Sequence, residues 1–420
     1  MSFAATAVAE PAQPVTRLRE CPDCGLVQHV PALPRGALAR CPRCGAVLRR
    51  RRVDPTGRAL ALALTGLLLL VLAASEPLLD VSLRGRGLAA DMFSGPVALE
   101  QHGMWPLALA VLATTIAAPL GRLGALVYVL VGLGMARPPR HLYAVFRLAG
   151  WFAPWAMAEV FLLGLFVAYT KLGDFARVDV GLAVYALGGL TLVSALAASV
   201  LDDEAIWLGL ESKGVTAGPP AGEAPGPLVG CDSCGLVSHA TRACPRCGAA
   251  VRHRRTDSLP RTAALLAAAA ILYIPANLLP VMTVVSFGQG APSTILSGVI
   301  ELAQEGMWPL AALVFFASIT VPVLKVLSLV WLLVSTRRRS AARLRERTTL
   351  YRVVDAIGRW SMIDVFMISI LTALLRLGFL VSVNPGPGAI AFCAVVILTM
   401  LAAQTFDPRL MWDAAGQNRR

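Results

Sequence analysis

From Ala59 onward the chain alternates between long apolar runs and short polar stretches rich in arginine and proline. The runs fall at 59–75, 105–135, 146–170 and 178–200, then at 262–283, 307–335, 357–380 and 388–406. An α-helix rises 1.5 Å per residue and needs about 20 apolar residues to cross a hydrocarbon core of about 30 Å. The pattern therefore predicts eight membrane-spanning helices in two sets of four. The breaks carry stop chemistry: Glu76-Pro77 ends the first run, and Arg137-Pro138-Pro139-Arg140 marks a tight return after the second. The first run lies behind a polar segment, so it is expected to remain as a span and not to act as a cleaved leader.

The two sets are copies. Trp155-Ala-Met-Ala-Glu159-Val-Phe161 returns in the second set as Trp360-Ser-Met-Ile-Asp364-Val-Phe366, and Gly103-Met-Trp-Pro-Leu107 returns as Gly306-Met-Trp-Pro-Leu310. Each Trp-Pro pair reads as an interfacial helix start. Each apolar set follows two CxxCG turns: Cys21/Cys24 with Cys41/Cys44, and Cys231/Cys234 with Cys244/Cys247. Two such turns bring four thiolates to one point, which suits a tetrahedral metal site of the zinc-ribbon kind, with rubredoxin-like iron or redox dithiols as alternatives. The spacer between turns is 25–40 in the first set and only 235–243 in the second. Cys393 stands alone in an apolar run. The predicted organisation is an Ala/Pro-rich disordered stretch at 1–20, ribbon 21–52, spans within 58–207, a linker at 208–230, ribbon 231–255, spans within 261–412 and a tail at 413–420.

Composition agrees with a membrane protein: mean hydropathy is +0.67 and 56% of residues are hydrophobic. The formal net charge is +13. The arginines flank apolar runs, which points to membrane orientation and not to nucleic acid. Connections on the ribbons' side carry Arg137, Arg140, Arg147, Arg337, Arg338, Arg339, Arg343, Arg345, Arg347 and Arg352, whereas the opposite side carries Arg84, Arg86 and Arg177. Both ribbons and both termini are therefore expected in the cytoplasm, and the copies are expected to be parallel repeats.

Three ionisable positions recur inside the runs: Arg122 with Lys325, Glu159 with Asp364, and Lys171 with Arg376. A charge at the bilayer centre costs at least ~2.5–3.5 kcal/mol, so it is kept when partnered or used. Counting outward from Pro139 and Arg343 places Arg122 level with Glu159 and Lys325 level with Asp364, so each unit is expected to hold one ion pair. The pairs read either as packing pins or as a proton relay or conformational switch, with Lys325 the better switch because lysine can release its proton. Lys171 and Arg376 are expected to snorkel to headgroups. Leu172-Gly173-Asp174 alone does not make an intramembrane protease, and no Walker A, HExxH or GxSxG motif is present. The chain is not expected to be an enzyme.

The CxxCG pairs, the Gly-Met-Trp-Pro-Leu repeats, Pro322-Val-Leu-Lys325, the Trp360–Phe366 segment, and Phe406-Asp407-Pro408-Arg409 with Trp412 together resemble the paraquat-inducible protein A family of bacterial inner-membrane proteins. In the first copy Arg122 stands for the lysine, Glu159 for the aspartate and Leu201-Asp202-Asp203-Glu204 for Phe-Asp-Pro-Arg. The resemblance implies an all-α polytopic protein of two four-helix units, each preceded by a ribbon whose four cysteines hold Zn2+. It implies membrane subunits of systems that carry phospholipids between inner and outer membranes, a periplasmic partner of the mammalian-cell-entry type that forms a hydrophobic tunnel, and a link to oxidative or envelope stress. Lys325 and Asp364 would form the polar transport centre. A membrane redox protein using its CxxC dithiols and a non-transporting scaffold are the alternatives.

Overall fold

The computed structural model describes residues 17–52, 54–83, 86–173, 177–219, 227–286, 289–374 and 381–417. Most of the 1–20 stretch, part of the linker, the end of the tail, and Arg84, Asp174 and Arg376 lie outside the described residues, as does the side chain of Lys171.

The first ribbon is two hairpins, β1 (Arg17–Glu20) with β2 (Val27–Val30) and β3 (Leu38–Arg40) with β4 (Val47–Arg50). Helix α1 (Pro55–Ser75) follows, with Pro55 in its first turn and the Asp54 carboxylate accepting from the Gly57 amide. Strands β5 (Leu79–Leu83) and β6 (Arg86–Ala90) then lead to α2 (Ser94–Gln101). The second crossing is α3 (Trp105–Gly134), and it passes through a π-helical turn at Ala113–Ala117. That turn lies just before Pro119, whose ring would clash with the carbonyl four residues back; widening the helix by one residue relieves the conflict. Helices α4 (Leu142–Phe152) and α5 (Ala158–Gly173), strand β7 (Arg177–Val180), α6 (Leu182–Val200) and the short α7 (Asp203–Ser212) complete the unit.

The second half repeats this order. Strands β8 (Leu228–Gly230) and β9 (Val237–His239) frame the second ribbon. Then come α8 (Ser258–Leu278), β10 (Met282–Ser286), β11 (Gln289–Ser293) and α9 (Ile295–Gln304). Helix α10 (Trp308–Arg337) has its own π turn at Phe316–Thr320, before Pro322. Next are α11 (Leu344–Ile357), a 3₁₀ turn (Gly358–Met362), α12 (Ile363–Leu374), β12 (Val381–Pro385), α13 (Pro387–Thr405) and α14 (Arg409–Ala414).

Two expectations need correction. First, seven helices among the described residues are long and apolar enough to cross a membrane, not eight. The third run of the first unit is divided into α4 and α5 by a break that contains Pro154, whereas its counterpart runs from Leu344 to Leu374 through the 3₁₀ turn. Second, the fold is not purely helical outside the ribbons. Each unit carries a three-stranded antiparallel sheet at the end of its first helix, in the orders β6-β5-β7 and β11-β10-β12. Most of these strands lie in stretches read as loops between spans, and only β7 and the start of β10 overlap predicted span ends. Gly181 and Gly386 close these sheets against the preceding chain, where a Cβ would collide with the carbonyl oxygens of Pro77 and Pro280 respectively.

Within each unit the first and last crossings pack together, α1 with α6 and α8 with α13. Between units α5 crosses α12, and equivalent residues meet: the rings of Phe161 and Phe366 lie edge to face, 5.6 Å apart. Gly164 permits this crossing, since a Cβ there would approach the Phe366 Cβ to 2.9 Å.

Candidate functional site

The first candidate centre is the pair of four-cysteine clusters. In every CxxCG turn the glycine takes a positive φ, from 69° to 74°, and its amide donates to the carbonyl of the first cysteine. The first cysteine's amide in turn donates to the carbonyl beyond the glycine. This knuckle aims two sulfurs at one point. Opposed sulfurs lie 3.5 Å (Cys21–Cys44), 3.6 Å (Cys24–Cys41), 3.6 Å (Cys231–Cys247) and 3.6 Å (Cys234–Cys244) apart. A tetrahedral ion with metal–sulfur bonds of about 2.3 Å needs edges of about 3.8 Å. All eight cysteines are buried, and each set could hold a metal ion.

The second knuckle of each ribbon seats on the other unit, while the first strand of ribbon one and Asp232 of ribbon two also bond their own units. The first ribbon rests on the second unit: Arg352 of α11 donates to the Cys44 carbonyl (3.1 Å) and to Asp23 (2.6 Å), and Arg345 donates to the carbonyls of Pro42 and Arg43 (3.1 Å each). Arg43 lies over the Trp412 ring of α14 at 5.4 Å. The second ribbon rests on the first unit in the same way. Arg147 of α4 donates to the Cys247 carbonyl (3.0 Å), and the buried Arg246 meets Glu211 (2.5 Å) and Glu204 (3.4 Å) of α7. Arg147 and Arg352 are equivalent residues of the repeat, as are Arg43 and Arg246 within their knuckles. The ribbons also touch each other, through the Gly230 amide on Glu20 (2.6 Å) and Arg19 on the Gly235 carbonyl (3.3 Å).

The electrostatics of the two docking helices differ in sign. Glu204 gathers Arg17, Arg19 and Arg246, while at the equivalent place Arg409 gathers Glu20, Asp232 and Asp407. Burial, helped by the nearby Arg246 and Arg49, lowers the Arg19 pKa to about 10. For Asp407, burial pushes upward but the Arg409 hydrogen bond and charge win, and its carboxyl falls below the usual range.

The second candidate centre lies inside the membrane-spanning segments. Glu159 and Asp364 each occupy the first turn of a helix that restarts within the third crossing, α5 and α12. A helix N-terminus favours negative charge, so the breaks help to hold the acids. The expected ion pairs are not formed. Glu159 pairs with Arg359 of the other unit at 3.4 Å, and Arg122 makes no ion pair among the described residues. Nor does an ion pair join Lys325 to Asp364 among them. The return loops are broad, so counting from a single turn residue misjudged the heights. Lys325 sits closer to the end of α10 at Arg337 than Asp364 does to the start of α11 at Leu344. The mismatch is roughly 12 Å of helix rise. Lys325 instead reaches the level of Gly358, where a Cβ would stand 2.8 Å from its Nζ.

Lys325 (3% exposed) and Asp364 (4%) are buried. The Lys325 ammonium has no hydrogen-bond partner among the described residues, and neither do the hydroxyls of Ser318, Ser361 and Ser369. Ser318, Ser361 and Arg359 escaped the sequence reading. Arg359 immediately precedes the conspicuous Trp360 segment and could have been flagged there, but a lone serine in an apolar run gives little signal.

A family model described as Paraquat-inducible protein A matches residues 57–211 and again 259–416. The chain belongs to the paraquat-inducible protein A family. Among its relatives, the intermembrane transport protein PqiA of Escherichia coli strain K12 is 40% identical over 263 residues, covering 62% of this chain and 63% of that protein, which is less than two thirds of its length. The lipophilic envelope-spanning tunnel protein A of the same strain is 34% identical over 400 residues, covering 94% of this chain and 91% of the relative. A probable intermembrane transport protein of Haemophilus influenzae is 27% identical over 368 residues, covering 84% and 86%. No solved structure matches the chain. As a member of the paraquat-inducible protein A family, the chain is a multi-pass membrane protein with two potential metal centres.

Proposed function

We propose that this chain is the inner-membrane subunit of an intermembrane lipid transport system, with its ribbons in the cytoplasm and Zn2+ in both. The observation that carries the reading is the buried polar core of the second unit. Lys325, Asp364, Ser318 and Ser361 all lie on segments that an apolar membrane protein would fill with leucine. Burying an ammonium without a partner is costly, so such a group is expected to work. The names of the relatives support transport as that work. In this reading Lys325 and Asp364 each take up and release protons as lipid moves, while Glu159 and Arg122 serve as a more static counterpart.

An open face of α5 supports lateral entry of a phospholipid. Phe166 (56% exposed) and Tyr169 (37%) are uncovered, whereas their equivalents Leu371 and Leu374 on α12 are buried. Helix α2 packs across α12, but among the described residues α9 makes no comparable contact with α5. Lipid drawn along this face would pass to a periplasmic, tunnel-forming partner of the mammalian-cell-entry type. The absence of nucleotide-hydrolysis motifs leaves a proton gradient or the partner as the energy source.

The test places a photo-crosslinking residue at Phe166 and, as a control, at Leu371. Labelled phospholipid is expected at position 166 alone, and Asp364→Asn is expected to trap or lose it. Equal labelling of both positions, with envelope function intact in Asp364→Asn cells, would overturn the proposal.

A further inference from the structure

We propose that the cross-seated ribbons are a clasp on the acid-bearing crossings, with Arg147 and Arg352 as its positioning residues. Arg147 precedes Glu159, and Arg352 precedes Asp364, by the same spacing on the same third crossing. Each arginine grips the carbonyl of the last cysteine of a ribbon supplied by the other half of the chain, Cys247 or Cys44. A four-thiolate ribbon keeps its knuckles in place when a metal is bound and loses them when the metal leaves. Metal occupancy therefore sets whether α4 and α11 are held at their ribbon ends. Through them it fixes the break that precedes each acid.

The third-crossing helix makes the tighter grip on the second unit. Arg352 reaches the Cys44 sulfur (3.4 Å) and Asp23 as well as the carbonyl, and Arg345 adds two further bonds from the same helix. Four thiolates around a divalent ion leave net negative charge, which the Arg352 guanidinium offsets. On the first unit, Gly248 lies between Tyr143 and Arg147, with a Cβ position 3.6 and 3.7 Å from them, so the same helix face is used with fewer polar bonds. The inference deepens the transport reading, because the helices held are those that carry its acids. The clasp itself can be tested without transport.

The experiment is hydrogen exchange, read by mass spectrometry, on the full chain in lipid nanodiscs, with bound metal counted on the same samples. The clasp predicts a crossed pattern. Cys44→Ser, which disables the first ribbon, is expected to raise exchange in 344–357 by ~10-fold or more and to leave 142–152 within ~2-fold; Cys247→Ser is expected to do the reverse. Arg352→Gln should reproduce the Cys44→Ser pattern with metal content unchanged, and Arg352→Lys should restore part of the protection. In cobalt-substituted protein, Arg352→Gln should also shift the thiolate-to-metal absorption. Loosening of 142–152 in place of 344–357 in Cys44→Ser, or unchanged exchange in both helices after metal loss, would overturn the clasp. If the crossed pattern holds while Asp364→Asn moves lipid normally, the clasp stands and the transport reading falls.

Discussion

Glu159 and Asp364 occupy the same place in the repeat and the same first-turn position of a restarted helix, yet their surroundings are opposite. Glu159 is 38% exposed and shares its charge with Arg359. Asp364 is buried in a helix whose every residue from Ile363 to Leu374 is buried. The cause is local. The first unit has Pro154 where the second has Arg359, so the second unit supplies the base that the first unit's acid uses. Helix α2 then seals the α12 side, while the α5 side stays open. Duplication provided two equivalent acids, and loss of symmetry at the contact between units gave them different surroundings.

The sharpest way to break this comparison is to neutralise each acid in turn. Asp364→Asn or Lys325→Ala is expected to lower lipid transfer in reconstituted vesicles by at least ~10-fold, and Glu159→Gln by ~3-fold or less, set against the ~10²–10⁴-fold span typical of positioned proton-transfer groups. Equal losses would mean that the two units work alike. A second test uses sterics. Gly164→Ala forces a methyl against the Phe366 Cβ and should destabilise the α5–α12 crossing by about 1–3 kcal/mol. Gly95→Ala presses on the Ser369 hydroxyl and should cost about 1 kcal/mol, because that hydroxyl can turn aside. Gly298→Ala, at the equivalent place, meets nothing closer than the Ser293 hydroxyl at 3.7 Å and should stabilise by up to about 1 kcal/mol through helix propensity. Thermal unfolding of the three variants in one detergent ranks them. If Gly95→Ala and Gly298→Ala behave alike, the asymmetric sealing is wrong.

The smallest effect is expected from acid. The Asp407 carboxyl is depressed in the folded protein, so its contribution is fully present above the unfolded carboxylate pKa of about 3.9 and is lost as pH falls through the lower folded value. Unfolding of the wild type should therefore become easier below about pH 4, and Asp407→Asn should flatten that part of the curve. An unchanged slope would remove Asp407 from the acid response.

Seven of the crossings, the two four-cysteine clusters and the duplicated acids are legible because each follows from a local rule of run length, knuckle spacing or a charge in hydrocarbon. The partners of the charges were not. Pairing depends on where a helix stops, and neither the breadth of the Arg338–Arg343 return nor the break at Pro154 could be measured from periodicity. The sheets are not legible because their strands are five residues or fewer, sit in short connections between spans, and pair with strands far away in sequence, as Met282–Ser286 does with Val381–Pro385. The seating of each second knuckle on the other unit could not be read at all, since sequence proximity favours each ribbon seating on the unit that follows it.

That seating also orders the birth of the molecule. The first knuckles leave the ribosome early, but the seat for Arg43 includes Trp412 and the Gln417 carbonyl, close to the far end of the chain. At about 5–20 residues per second, the first ribbon waits roughly 20–75 s for its place. During that time the first unit can insert, and the ribbon has only its own-unit contacts, such as Arg19 with Glu204, to hold it. The Arg43 seat is complete only once α14 has been made, so a knuckle synthesised early is docked late.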